Sequence, residues 1–289
     1  MFTFIRAAAL ATALIPGALK AEMVEVGGAE LFVEQIGDGP AILMMHGGLG
    51  LDHTYLRPYF DRLAADHTVV FYDHLGNGRS DDPGDWSEIT MDRLVADAEG
   101  LRQALGLEDM VLIGHSYGGF IAQAYAQAHP ENLRGLVLVA TVPAFDYGPE
   151  VIGTPEQMAA FGSLFSGMPD DATWQERWGL TIPMYFHEPD EALLAELDRA
   201  TTYSHEAWNA GLRLLSGFNM LQALPDLEVP ILAVAGRSDG ITPHEAGASR
   251  IASLAPQGQV ALFNASGHYP FIEEELAFFV RLGEFLDGL

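Results

Sequence analysis

The sequence predicts an α/β protein, a mostly parallel, doubly wound sheet with a helical segment inserted late in the chain. Three observations predict it. Short apolar runs alternate with stretches of helical spacing from residue 41 to residue 140 and again from 229 onward, the pattern of a parallel sheet covered on both faces. Between these blocks, from Pro143 to Leu224, no run reads as a strand. Gly114-His115-Ser116-Tyr117-Gly118 lies between an apolar run and a helix-forming one. That is the strand, tight turn and helix in which a Gly-x-Ser-x-Gly sequence presents its serine. Residues 22–142 and 225–289 are therefore the body, and 143–224 a helical cap over the strand ends, where ligands of such sheets bind.

In chain order, Met23–Val26 and Leu31–Gln35 read as strands of a hairpin turned at Gly27-Gly28. Ala41–Met45 is a buried strand ending at His46-Gly47-Gly48-Leu49-Gly50, and Thr54–Ala65 has helical spacing. Thr68–Tyr72 is a strand, and Met91–Leu105 a helix with its stripe at Leu94, Ala98, Leu101 and Leu105. Asp109–Ile113 leads into the serine turn, the helix after it runs from Gly119, and Leu133–Ala140 is a further strand. In the insertion, Pro189–Ala200 has a proline start and acids in its first turn. Alternation resumes with strand Val229–Ala235, helix His244–Leu254, strand Gln259–Phe263 and a last helix Phe271–Leu286.

Composition narrows the function. Forty acids face fourteen bases, a net charge of −26, and Lys20 is the one lysine. Such a field repels nucleic acid and anionic lipid. There is no cysteine, hence no disulfide, thiol nucleophile or thiolate metal site. Residues 1–21 read as a secretory signal peptide, with Arg6, the apolar run Ala7–Ile15, the break Pro16-Gly17, and Ala21 at the cut. The expected location is periplasmic or secreted, otherwise cytoplasmic. Removal would leave 12 arginines against 40 acids, a net charge of −28.

A serine hydroxyl needs a base, and the base an orienting acid. Behind such an elbow they follow in the order Ser, acid, His. Asp239 follows a strand within Gly236-Arg237-Ser238-Asp239, and His268 follows the next within Ser266-Gly267-His268. Both loops leave the edge of the sheet that carries Ser116. His244, the other histidine after Asp239, lies too near it in sequence. His67, His129, His187 and His205 precede Asp239 and read as structural. The oxyanion needs two preorganised N–H donors. Tyr117 supplies one, and the glycine loop, at Gly48, the other. A phosphate loop is disfavoured, because no Gly-Lys-Ser/Thr is present. No cofactor or metal is expected, since no His-Glu-x-x-His or comparable ligand spacing occurs.

Five stretches carry a resemblance: HGGLG at 46–50, YDHLGNGRSD at 72–81, GHSYGG at 114–119, GRSD at 236–239 and SGHYPFIEE at 266–274. Over residues 22–289 the chain resembles the α/β-hydrolase superfamily, and within it the proline iminopeptidases and tricorn-interacting aminopeptidases. The resemblance implies a serine hydrolase of that fold. Those peptidases show proline at the position of Leu49 and glutamine at that of His74, and bind the substrate's amino group with cap glutamates. The cap here offers Glu150, Glu156, Glu176, Glu188 and Glu206. Ester or lactone hydrolysis is the expectation, with aminopeptidase activity the alternative and a silent binding protein a remote one. Dehalogenases and epoxide hydrolases of the superfamily use an aspartate nucleophile and are disfavoured. The expected partner is a small ester, lactone or short peptide, with no nucleic acid or membrane. Oligomeric state is not specified.

Overall fold

The computed structural model describes residues 19–289. Most of the leader assigned to residues 1–21 lies outside the described residues. Eight strands form one sheet: β1 (Lys20–Val26), β2 (Ala29–Ile36), β3 (Ala41–Met45), β4 (Thr68–Tyr72), β5 (Met110–His115), β6 (Leu133–Val139), β7 (Ile231–Gly236) and β8 (Gly258–Phe263). Their order is β1-β2-β4-β3-β5-β6-β7-β8. β1 and β2 form the antiparallel hairpin, β2 pairs antiparallel with β4, and every other pairing is parallel. β3, β4, β5 and β7 are buried along their whole length, as continuous apolar runs between helical layers must be.

This order places the site. From β3 the chain moves to β4 on one side and then returns to β5 on the other, so the order reverses at β3. Loops after β3 and β5 diverge there and open a crevice at the C-terminal strand ends. The helices of the body are α1 (Arg57–Phe60), α2 (Met91–Leu105) and α3 (Tyr117–Ala128). The inserted segment adds α4 (Pro155–Leu164), α5 (Asp171–Thr181), α6 (Glu191–Ala200) and α7 (His205–Leu215), and the closing part α8 (Ala248–Leu254), α9 (Pro270–Glu273) and α10 (Glu275–Leu286). Caps delimit them. Thr90 accepts from Arg93 N–H before α2, and Thr154 and Gln157 make a reciprocal capping box on α4. Asp170, Asp190 and Ser204 cap α5, α6 and α7, each cap contributing about 1 kcal/mol.

Several boundaries differ from the sequence reading. Thr54–Ala65 is the single turn α1 followed by a 3₁₀ stretch, Asp61–Ala65. α6 starts at Glu191 because Asp190, not Pro189, caps it. α8 starts at Ala248 rather than at His244. Gly247 lies against the Thr141 carbonyl, and Ala246 and Gly247 both donate to Pro243 O in a turn that precedes the helix. The last helix is broken at Glu274, whose side chain accepts from Ala265 N–H and Ser266 Oγ.

Segment 143–220 leaves and re-enters the body at one neck, where Ala144 bridges Asn219 and Met220 N–H donates to Pro143 O at 2.7 Å. Farther out it grips two loops of the body. Ser204 N–H and Trp174 Nε1 donate to Gly50 O at 2.9 and 3.3 Å, and His268 N–H donates to Tyr185 O at 2.6 Å.

A buried charge cluster anchors the segment after the glycine loop. His53 is held between Asp73 (Nδ1–Oδ1, 2.6 Å) and Glu34 (Nε2–Oε2, 3.1 Å), and Arg57 donates to the same Glu34 oxygen. Burial alone would lower the His53 pKa, but hydrogen bonds to Asp73 and Glu34 raise it to about 9. The hydrogen bond from His53 lowers Glu34 to about 2 against its burial. Burial would raise Asp73, but His53 brings it down to about 2. The His53 contribution to stability is full below pH ~6.5, its unfolded pKa, and is lost as pH rises through about 9. It amounts to about 3 kcal/mol. The two carboxylates contribute above pH ~4.5 and lose their contribution as pH falls toward 2. Denaturant midpoints should therefore fall from pH ~6.5 toward pH 9 as His53 loses its proton. They should fall also below pH ~6.5, where His46, His74 and His115, buried and held neutral, take up protons on unfolding. In His53→Gln the whole profile should drop and the alkaline slope flatten, because Asp73 and Glu34 lose the imidazolium buried between them, although Arg57 still donates to Glu34. An unchanged alkaline slope in that variant would remove His53 as its source.

Candidate active site

Ser116 is one of three non-glycine residues with positive φ among the described residues. Its backbone is at φ 52°, ψ −115°, a region L-residues rarely adopt. The flanking glycines make it possible. A Cβ on Gly114 would lie 2.6 Å from Gly118 O and 2.8 Å from Ala122 Cβ, inside α3, and one on Gly118 would strike the Met45 carbonyl at the end of β3. Ser116 N–H donates to Val139 O at 2.9 Å, which ties the turn to β6. The turn thus lifts Ser116 above the sheet, at the N-terminus of α3.

Asp239 and His268 meet from the ends of β7 and β8, His268 Nδ1 donating to Asp239 Oδ2 at 2.8 Å, with both side chains buried. The acid is held from its other side. Its Oδ1 accepts from Ile241 and Thr242 N–H at 2.9 and 3.0 Å, and Oδ2 accepts from Thr242 Oγ1 at 2.7 Å. Nε2 of His268 is buried with no hydrogen-bond partner among the described residues. Ser116 and His268 line the same cavity. Asp239 thus fixes the orientation of the His268 ring and leaves Nε2 without a partner in the cavity that Ser116 also lines. His244 bonds Ser249 Oγ instead and does not line this cavity.

Gly48 lies on the loop after β3, beside β5 in the sheet. Its φ of +72° and the Leu51 side chain beneath it admit no Cβ. The amide before it, Gly47 N–H, is taken by Tyr55 Oη at 2.6 Å, so Gly48 is the next donor along the loop. Tyr117 is the first residue of α3, where a backbone N–H has no intrahelical acceptor. Both residues line the cavity. Beneath the loop, His46 stacks on His74 with ring centroids 4.0 Å apart, and its Nε2 accepts from His74 N–H. Burial pushes both imidazoles toward the neutral form.

The cavity holds about 800 Å³ of empty space, its open mouth included. Phe145, Phe161, Trp178, Tyr185 and Trp208 wall it from the inserted segment. No aspartate, glutamate, lysine or arginine is among the described residues that line it. The five glutamates named for the cap, Glu150, Glu156, Glu176, Glu188 and Glu206, are all exposed and none reaches it.

Sequence reasoning missed Thr242, His115, Tyr55 and Glu273. Thr242 had a signal, since Asp239 followed by Gly-Ile-Thr suits an acid that caps its own turn. His115 stood inside the serine motif. Tyr55 had none beyond its apolar spacing. Glu273 accepts from Gly267, His187 and Glu188 N–H, and so ties the His268 loop to the inserted segment.

The profile of the alpha/beta hydrolase fold family matches residues 40–275. The proline iminopeptidase of Saccharolobus solfataricus is 27% identical over 271 residues, covering 87% of this chain and 86% of that one. The pimeloyl-[acyl-carrier protein] methyl ester esterase of Klebsiella pneumoniae is 30% identical over 254 residues, 86% of this chain and 95% of that one. An esterase from Exiguobacterium antarcticum superposes with a TM-score of 0.76 at 24% identity, over 94% and 99% of the two chains, a likeness of fold.

Proposed function

Since this chain belongs to the alpha/beta hydrolase fold family, we propose that it is a serine hydrolase of uncharged carboxylic esters or lactones. Ser116 Oγ attacks the carbonyl carbon while His268 Nε2 takes its proton, and Asp239 stabilises the imidazolium. The oxyanion is held by the amides of Gly48 and Tyr117. The intermediate collapses to the acyl-enzyme, and His268 returns the proton to the departing alcohol. Water, deprotonated by His268, then releases the acid and restores the Ser116 hydroxyl. An ester's alcohol leaves as the acyl-enzyme forms, while a lactone's hydroxyl stays tethered to the acyl group until water releases the acid.

The observation that carries the reading is the absence of any carboxylate or cation among the described residues of the cavity wall. An aminopeptidase must hold a substrate ammonium, and burying that charge unpaired is costly. An aromatic, charge-free wall suits an apolar acyl or alkoxy group. The similarity to proline iminopeptidases supports the hydrolase chemistry, but their amine-binding glutamates have no counterpart in this wall.

A three-substrate comparison tests it. Short-chain aryl esters should turn over readily, while proline anilide and its N-acetylated form should both be poor. Rapid cleavage of the free amine with none of the blocked form would establish an anionic amine pocket and overturn the ester reading.

A further inference from the structure

We infer that Tyr55 and His115 form a positioning bridge that fixes the glycine loop and the His268 loop onto the Ser116 turn. The inference rests on the roles proposed above for Ser116, His268 and Gly48, and adds two residues to them. Tyr55 Oη accepts from Gly47 N–H at 2.6 Å and lies 2.6 Å from His115 Nδ1. His115 Nε2 lies 3.0 Å from the backbone carbonyl of His268. Three loops, from the ends of β3, β5 and β8, are thereby joined through two side chains.

The proton positions are forced. A carbonyl can only accept, so His115 Nε2 carries the hydrogen and donates to His268 O. Nδ1 is then an acceptor and must receive the Tyr55 hydroxyl hydrogen. That leaves a lone pair of Tyr55 Oη free for Gly47 N–H. Every donor in the chain has one acceptor. Burial keeps His115 neutral, its pKa well below the ordinary histidine value, as this pattern requires. The other neutral tautomer of His115 would set its Nε2 lone pair against the His268 carbonyl.

The bridge lies one residue from the groups it positions. Gly47 precedes Gly48, and a Cβ on Gly47 would fall 2.7 Å from His115 Nδ1 and 2.9 Å from Ser116 Cβ. The loop is thus in direct contact with the turn. Tyr55 is itself held from behind, because His53, two residues earlier, is clamped by Asp73 and Glu34. Tyr55 and His115 line the cavity, but neither bonds to Ser116 or to Asp239. Their polar atoms are taken by Gly47, by each other and by the His268 carbonyl, which is the geometry of positioning residues. A shift of about 1 Å in a reacting group can cost about 10²-fold in rate.

Tyr55→Phe removes one oxygen and leaves the ring. We expect kcat on an aryl ester to fall about 10- to 100-fold with KM within about threefold. Labelling of Ser116 by a serine-directed phosphonate should slow by a like factor, and the unfolding midpoint should fall modestly, because Gly47 N–H and His115 Nδ1 stay buried without a partner. His115→Gln supplies one acceptor and one donor, and His115→Leu supplies neither. The Gln variant should therefore keep at least about tenfold more kcat than the Leu variant, and this ratio decides the matter should Tyr55→Phe fold poorly. Wild-type labelling with Tyr55→Phe at the wild-type rate, or equal kcat in the two His115 variants, overturns the bridge alone. Failure of the phosphonate to label wild-type Ser116 overturns the underlying assignment and the bridge with it.

Discussion

Ser116→Ala should remove ester turnover almost entirely, a loss of about 10⁶ in kcat, the scale on which a serine hydrolase depends on its nucleophile. Nothing in the turn requires the hydroxyl for folding. The backbone hydrogen bond from Ser116 N–H to Val139 O survives the change, and alanine meets the same strain at φ 52° as serine. The variant should thus unfold at nearly the wild-type denaturant concentration. His268→Ala should fall to a similar floor, and the double variant little below either, because nucleophile and base act as one unit. The phosphonate should add its mass to wild-type Ser116 and to no residue of the alanine variant. A Ser116→Ala enzyme that keeps a tenth of the wild-type rate would sink the assignment.

The buried strands along the chain and the serine turn were legible because backbone sterics write them into residue type. Continuous apolar runs fit only the interior of a covered sheet. Gly114 and Gly118 fit only where a Cβ would meet α3 or β3. The parts that were not legible depend on contacts between residues distant in sequence. Periodicity extends the last helix through Glu274, yet that side chain is claimed by Ala265 and Ser266, and the helix breaks there. Likewise His244 looks like a helix start until Gly247 is pressed on the Thr141 carbonyl. Tyr55 reads as one more apolar residue, and only the fold brings its hydroxyl to Gly47 and His115. The make-up of the cavity wall was hidden for the same reason. An acidic insertion is compatible with an amine pocket, and only the fold shows its glutamates facing solvent.

Asp239→Asn should lower kcat by about 10⁴ with KM nearly unchanged, although the two side chains have the same shape. The reason is the direction of one proton. Asp239 Oδ1 is occupied by two backbone donors, Ile241 and Thr242 N–H. In the asparagine variant the amide oxygen must stay with those donors, so the NH₂ group turns toward Thr242 Oγ1 and His268 Nδ1. The threonine hydroxyl can rotate and accept. The imidazole can accept only at Nδ1, which moves its hydrogen to Nε2, the nitrogen that must receive the Ser116 proton. The base is then present, correctly placed and blocked. Since no atom is lost and each group still has a partner, the unfolding midpoint should move little. Steady-state kinetics beside a denaturant melt separates the two effects. A variant within tenfold of the wild-type kcat would mean that the Asp239 carboxylate does not set the His268 tautomer. A collapse of the unfolding midpoint would mean that its charge, rather than its direction, holds the β7 and β8 loops together.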